Sequence, residues 1–161
     1  MKKIILAAVV ACTPVAAAAL SCMPHSVQAA FQQAQESEAK FLVVRGRLEF
    51  DARKLPKTNR KDQRATPEQT RIAARLKGTS LSAKGFSTPY NQDVTLSVAC
   101  FGPWCASAQR GTEVLAFVEL GAQGNVISIN PCGGNLFGTP TPKMIRAVKT
   151  CFAGGACTSI R

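Results

Sequence analysis

The segment from Thr112 to Cys132, TEVLAFVELGAQGNVISINPC, constrains the fold more than any other stretch. Val114, Ala116 and Val118 alternate with Leu115, Phe117 and Glu119. Gly121-Ala-Gln-Gly-Asn interrupts the pattern, and Val126, Ile127 and Ile129 resume it. β-branched and aromatic residues suit a pleated surface and the glycine-containing break supplies a turn, so the segment reads as a β-hairpin. Cys132, just past the second strand, is positioned to staple that hairpin to a distant segment.

Whether a cysteine pairs depends on the compartment, and the amino terminus bears on that. Lys2 and Lys3 precede an apolar core from Ile4 to Ala11 and a run of small residues ending at Ala19. This is the pattern of a signal peptide, read as residues 1–19, with cleavage after Ser21 as the alternative. The apolar stretch is too short to span a bilayer as a stable helix, and no later run approaches ~20 apolar residues. A lipidated Cys22 would want a Leu-like residue three positions earlier, where Ala19 stands. The expected product is a secreted or periplasmic domain over residues 20–161 with no transmembrane segment. Of the seven cysteines, Cys12 falls in the signal, which leaves Cys22, Cys100, Cys105, Cys132, Cys151 and Cys157. An even set in an exported chain implies disulfides, with 15 possible pairings. The close pairs Cys100/Cys105 and Cys151/Cys157 suggest local clips, which would leave Cys22 for Cys132.

Ser26 can cap a short helix through VQAAFQQAQESEA, with Val27, Ala30, Phe31 and Ala34 as its apolar stripe. Phe41 to Phe50 (FLVVRGRLEF) is a strand, in which Gly46 suggests a bulge or tight bend. Asp51 to Pro67 is polar and cationic, with two prolines, and reads as a long connecting loop that supplies no core. Thr70 to Lys77 alternates as a strand that Gly78 ends, although Thr66-Pro67-Glu68 would also start a helix. Asp93 to Cys100 is a further strand, followed by a loop from Phe101 to Arg110. Thr141 caps a last helix with Pro142 in its first turn and Met144, Ile145 and Val148 on one side. The fold class expected is mainly β: a five-stranded, closed OB-type barrel with flanking amino- and carboxy-terminal helices, stapled by disulfides.

The order of Cys22-Met-Pro-His25, a helix, FLVVRGRL, the strand end RLKG, VAC and EVLAFVELGAQGNVISINPC resembles the netrin-like module. That is the OB-fold domain of the tissue inhibitors of metalloproteinases and their bacterial relatives. The resemblance runs from Cys22 to about Cys132. It implies a disulfide between the amino-terminal cysteine and the one just after the last barrel hairpin, which here are Cys22 and Cys132. The inhibitors begin Cys-x-Cys and chelate the target's zinc through the first cysteine, whose position is taken here by Leu20. A protease-inhibitor function is therefore the alternative reading, and it requires Cys22 to be the first residue of the mature chain.

No catalytic residue, metal ligand or cofactor site emerges. His25 is the only histidine, the carboxylates are scattered, and the Cys100/Cys105 spacing departs from Cys-x-x-Cys. Charge is the better guide. Lys and Arg number 20 against 9 Asp and Glu, for a net charge of +11. The excess concentrates in Arg45, Arg47, Arg53, Lys54, Lys57, Arg60, Lys61, Arg64, Arg71, Arg75, Lys77 and Lys84. Arg53, Lys54, Lys57, Arg60, Lys61 and Arg64 on the loop, with Arg71, Arg75 and Lys77 on one strand face, form the candidate polyanion-binding set. Aromatics make up only 6% of the chain, which argues against specific nucleic acid binding through stacking platforms. The reading is a non-catalytic binding module for a protein or polyanionic partner.

Overall fold

The computed structural model describes residues 20–59 and 61–158. The expected signal peptide, residues 1–19, lies outside them. The described chain is mainly β, with two helices and eight strands. Helix α1 (Val27–Glu36) precedes β1 (Lys40–Phe50), β2 (Gln69–Ser82) and β3 (Gly85–Phe101). Then come β4 (Trp104–Cys105), β5 (Glu113–Gly121), β6 (Gly124–Asn130), β7 (Gly133–Gly134), β8 (Leu136–Gly138) and helix α2 (Pro142–Phe152).

Five strands pair into a ring. β1 lies antiparallel between β2 and β5, β2 pairs β3, β5 pairs β6, and a parallel pairing of β3 with β6 joins the two ends. β4, β7 and β8 are short additions on β3, β6 and β5.

The hairpin is β5 and β6, and its pattern explains the core. Val114, Ala116 and Val118 pack inside the ring with Val44, Leu48, Ile72, Leu76, Leu96 and Ile127. The alternate residues Leu115 and Phe117 face outward, where Val43 and Leu81 join them. The two helices cover that outer patch, α1 with Val27, Ala30 and Phe31 and α2 with Val148 and Cys151. β5 is buried on both faces, and each fully enclosed Leu or Phe contributes roughly 1.5–3 kcal/mol. Both helices start at side-chain caps: Ser26 Oγ accepts from the Ala29 amide and Thr141 Oγ1 from the Met144 amide, each at 3.2 Å. Disulfides join Cys22 to Cys132, Cys100 to Cys105 and Cys151 to Cys157.

Three expectations need correction. Gly78 does not end β2, which runs on to Ser82. Gly46 introduces no bulge, because the β1/β2 register is unbroken from Val44↔Ser80 to Phe50↔Ala74. Gly46 and Gly78 are instead direct partners where the two backbones meet closely: a Cβ on Gly46 would strike the Lys77 carbonyl, and one on Gly78 the Arg45 carbonyl. The Asp51 to Pro67 connection is also more than a tether. It contains 3₁₀ turns at Ala52–Lys54 and Gln63–Ala65, packs Leu55 against the ring interior and buries Thr66.

Candidate functional site

The cations singled out from the sequence fall on two features, the β1–β2 connection and the outward row of β2. Arg60 lies outside the described residues. On the connection, short polar side chains hold the backbone. Asp51 caps the first 3₁₀ turn by accepting from the Arg53 amide at 3.1 Å, and its two oxygens take the Arg53 guanidinium at 2.9 Å each. That side-chain hydrogen bond is the main reason the Asp51 carboxyl is held down to about 2. Asn59 Oδ1 accepts from the Lys61 and Asp62 amides at 3.0 Å, and Asp62 Oδ1 from the Arg64 amide at 3.1 Å. The Asn59 amide donates to the buried Thr66 hydroxyl at 3.2 Å. Arg53 is thereby matched by Asp51. Lys54, Lys57, Lys61 and Arg64 stand exposed, with no ion-pair partner among the described residues.

On β2, Arg71, Arg75 and Lys77 share the exposed face, between the buried positions Ile72, Ala74 and Leu76. They do not form a continuous cationic row. Arg75 donates to Asp93 at 2.9 Å and to Asn91 at 3.0 Å on β3, and its partner across on β1 is Glu49. Arg71 is left toward the connection and Lys77 away from it. Lys77 sits directly opposite Arg47, whose Nη1 donates to the Gly111 carbonyl at 2.6 Å, while Arg45 pairs with Glu113 at 2.7 Å. Like charges directly opposite destabilise a strand pair, and Arg47 and Lys77 form such a pair. A depression of about 440 Å³ lies there, between these cations, Thr79, Phe86 and Glu113. The two cationic patches are separated because Glu49 and Asp93 arrive from neighbouring strands, which alternation within β2 could not reveal.

A cleft of about 450 Å³ opens at the end of the ring where β1, β3 and β6 finish, lined by His25, Cys105, Gln109, Thr112, Asn130 and Gly133 among others. His25 is engaged structurally: Nε2 donates to the Gly134 carbonyl at 2.7 Å, and the ring stacks on Phe137 at 4.0 Å. Cys100 and Cys105 are bonded to each other, so neither offers a thiolate. Among the described residues, no group of three or more His, Cys, Asp or Glu could hold a metal ion. Phe101 and Trp104, which strand alternation does not single out, stand side by side and exposed on the clip. The available signal was two large aromatics bracketing Gly-Pro between close cysteines. Comparisons with protein-family models, curated proteins and solved structures find no match for this chain.

Proposed function

We propose that this chain is an exported, non-catalytic binding module that holds a polyanionic partner, or a protein with an acidic surface, on the β1–β2 connection. The observation that carries the proposal is the set Lys54, Lys57, Lys61 and Arg64, exposed and without acidic partners among the described residues, on a backbone fixed by Asn59, Asp62 and Thr66. A loop already ordered before binding loses less conformational entropy on meeting its partner. The five-strand ring with its parallel pairing supports a netrin-like, OB-type barrel, a small barrel whose long first loop commonly meets ligands. Removal of residues 1–19 and export fit the three disulfides, which persist in oxidising compartments.

Chromatography on a polyanion column tests the reading. Binding weakens steeply with salt because neutralising several anionic groups releases their counterions. The variant Lys54→Glu/Lys57→Glu/Lys61→Glu/Arg64→Glu should lose retention while stability changes by only about 0.5 kcal/mol per exposed site. Elution at the wild-type salt concentration would reject the loop as the binding surface. A second reading, protease inhibition, draws on Cys22, fixed to Cys132 beside the exposed Met23. It stands only if sequencing of the mature protein finds Cys22 as the first residue.

A further inference from the structure

The apolar side chains that the fold leaves outside are unevenly distributed. Among the described residues, the exposed large hydrophobics are Leu20 at 38%, Met23 at 85%, Phe101 at 43%, Trp104 at 46%, Leu120 at 37% and Phe152 at 45%. Leu120 closes β5 at one end of the ring, and Phe152 lines a cleft with Phe41 and Leu42 at that same end. Leu20, Met23, Phe101 and Trp104 gather at the other end, because Cys22 is bonded to Cys132 past the finish of β6 and the clip follows β3 directly. β3 and β6 run parallel, so both finish on one side.

The clip is built to keep its aromatics out. Phe101 and Trp104 are direct antiparallel partners, which sends both side chains to the same side of the ribbon. The Cys100–Cys105 bond closes its base. The Cys100 amide donates to the Glu68 carbonyl at 2.8 Å and the Ala106 amide to the Ala99 carbonyl at 3.0 Å. The tip, Phe101-Gly102-Pro103-Trp104, carries no charge. The Glu68 contact also fixes the clip beside the carboxy-terminal end of the β1–β2 connection, which bears Lys61 and Arg64.

We infer that this end of the ring docks on an anionic lipid bilayer, with Phe101 and Trp104 entering the headgroup layer and Lys54, Lys57, Lys61 and Arg64 meeting the headgroups. The inference rests on the proposed function in taking the partner to be anionic, and it narrows that partner to a lipid surface. Aromatic rings with one apolar body suit the boundary between headgroups and acyl chains, and basic residues near an anionic leaflet strengthen attachment. A bilayer fits better than a single polymer strand. The aromatics project from a hairpin tip and line none of the clefts described above, and apolar residues beside cations at one end match a flat surface that is apolar beneath its charge.

Trp104 is the only tryptophan, so its emission reports on this site alone. Protein beginning at Leu20, which holds every element of the described fold, is titrated with vesicles of phosphatidylcholine alone or mixed with phosphatidylglycerol. The mixed vesicles should shift the emission to the blue and a brominated lipid should quench it, with little response to phosphatidylcholine alone. Phe101→Ser, with Trp104 kept, should weaken vesicle sedimentation roughly tenfold, and each loop cation changed to Gln about fivefold, the equivalent of ~1 kcal/mol per cation. Both aromatics are exposed, so an unchanged melting temperature will show that the fold is intact. Vesicle binding without a Trp104 shift, or a shift produced by a soluble sulfated polysaccharide while mixed vesicles are silent, overturns the lipid assignment. The second of these outcomes leaves the polyanion reading standing. Failure of both vesicles and the polyanion column to retain the protein removes both readings together.

Discussion

Removing the bond between Cys22 and Cys132 should destabilise the protein more than removing the other two together would suggest from their number. The bond spans 110 residues, whereas the Cys100–Cys105 and Cys151–Cys157 bonds span 5 and 6. In the chain-entropy model the denatured state regains loop freedom in proportion to the logarithm of loop length. The long link is then worth about 4.8 kcal/mol and each short clip about 2 kcal/mol. With a urea m-value of roughly 2 kcal/mol/M, the variant Cys22→Ser/Cys132→Ser should lose about 2.4 M in unfolding midpoint, and Cys151→Ser/Cys157→Ser about 1 M. The assay is equilibrium urea unfolding followed by far-ultraviolet circular dichroism, with the three double variants side by side. The residues next to Cys22 have a second attachment besides the bond, since His25 is hydrogen-bonded to Gly134 and stacked on Phe137. The folded state is therefore expected to keep its shape, and the loss should come from the denatured chain. Equal losses in the long-link and short-clip variants would refute the loop-length reasoning.

Gly78→Ala should cost at least about 2 kcal/mol in the same urea assay, because the new Cβ meets the Arg45 carbonyl and the facing Gly46 rather than a side chain that can swing away; a neutral result would show that the two strands can part there. Asp51 titrates at about 2 in the folded chain against 3.8 ordinarily, so whatever stability the Arg53 fork supplies is present above pH 4 and lost as pH falls toward 2; carboxyl NMR should place the midpoint there, and Arg53→Ala should return it toward the ordinary value. Asp93→Asn should remove the carboxylate that pairs Arg75, with Asn91 and Glu49 still beside it, and raise modestly the salt concentration needed to elute the protein from a polyanion column; unchanged elution would mean that Arg75 is not part of the binding surface.

The strands with uninterrupted alternation were legible in the sequence, and the reason is visible in the pairing. β5 is enclosed from Val114 to Val118 by the ring interior on one face and the helices on the other, and β1 turns Val44, Leu48 and Phe50 to the same interior while Arg47 and Glu49 stay exposed, so burial sets the apolar positions of both strands. The full lengths of β2 and β3 were not legible. Gly78 has the composition of a strand end, and only its partner across the sheet, Gly46, shows that the glycine serves a close crossing. Pro89 likewise argues against a long β3. It is tolerated because β3 pairs β6 only from Val94 to Val98, leaving Pro89 on an open edge where no second ladder asks for its missing N–H. At the candidate site, the exposed face of β2 was readable from period two. The neutralisation of Arg75 was not, because Asp93 lies 18 positions along the chain and reaches it only through the β2/β3 register.

The parallel seam between β3 and β6 carries a consequence for how the chain is made. β1, β2 and β3 can assemble as a meander while the chain is emerging, since each pairs with its neighbour in sequence. The ring cannot shut until β6 has arrived, and the partner of Cys22 lies two residues beyond the end of that strand. Val27, Ala30 and Phe31 of α1 wait first for Leu115 and Phe117 of β5 and then for Val148 and Cys151 of α2, which follows β6, before their patch is complete. Helix α1 is thus among the last elements to find its place, and in the interval its apolar stripe is a natural binding site for chaperones of the compartment in which folding occurs. A bond from Cys22 to Cys132 then records that closure has happened, so the rate at which this one bond forms during synthesis measures the completion of the whole ring.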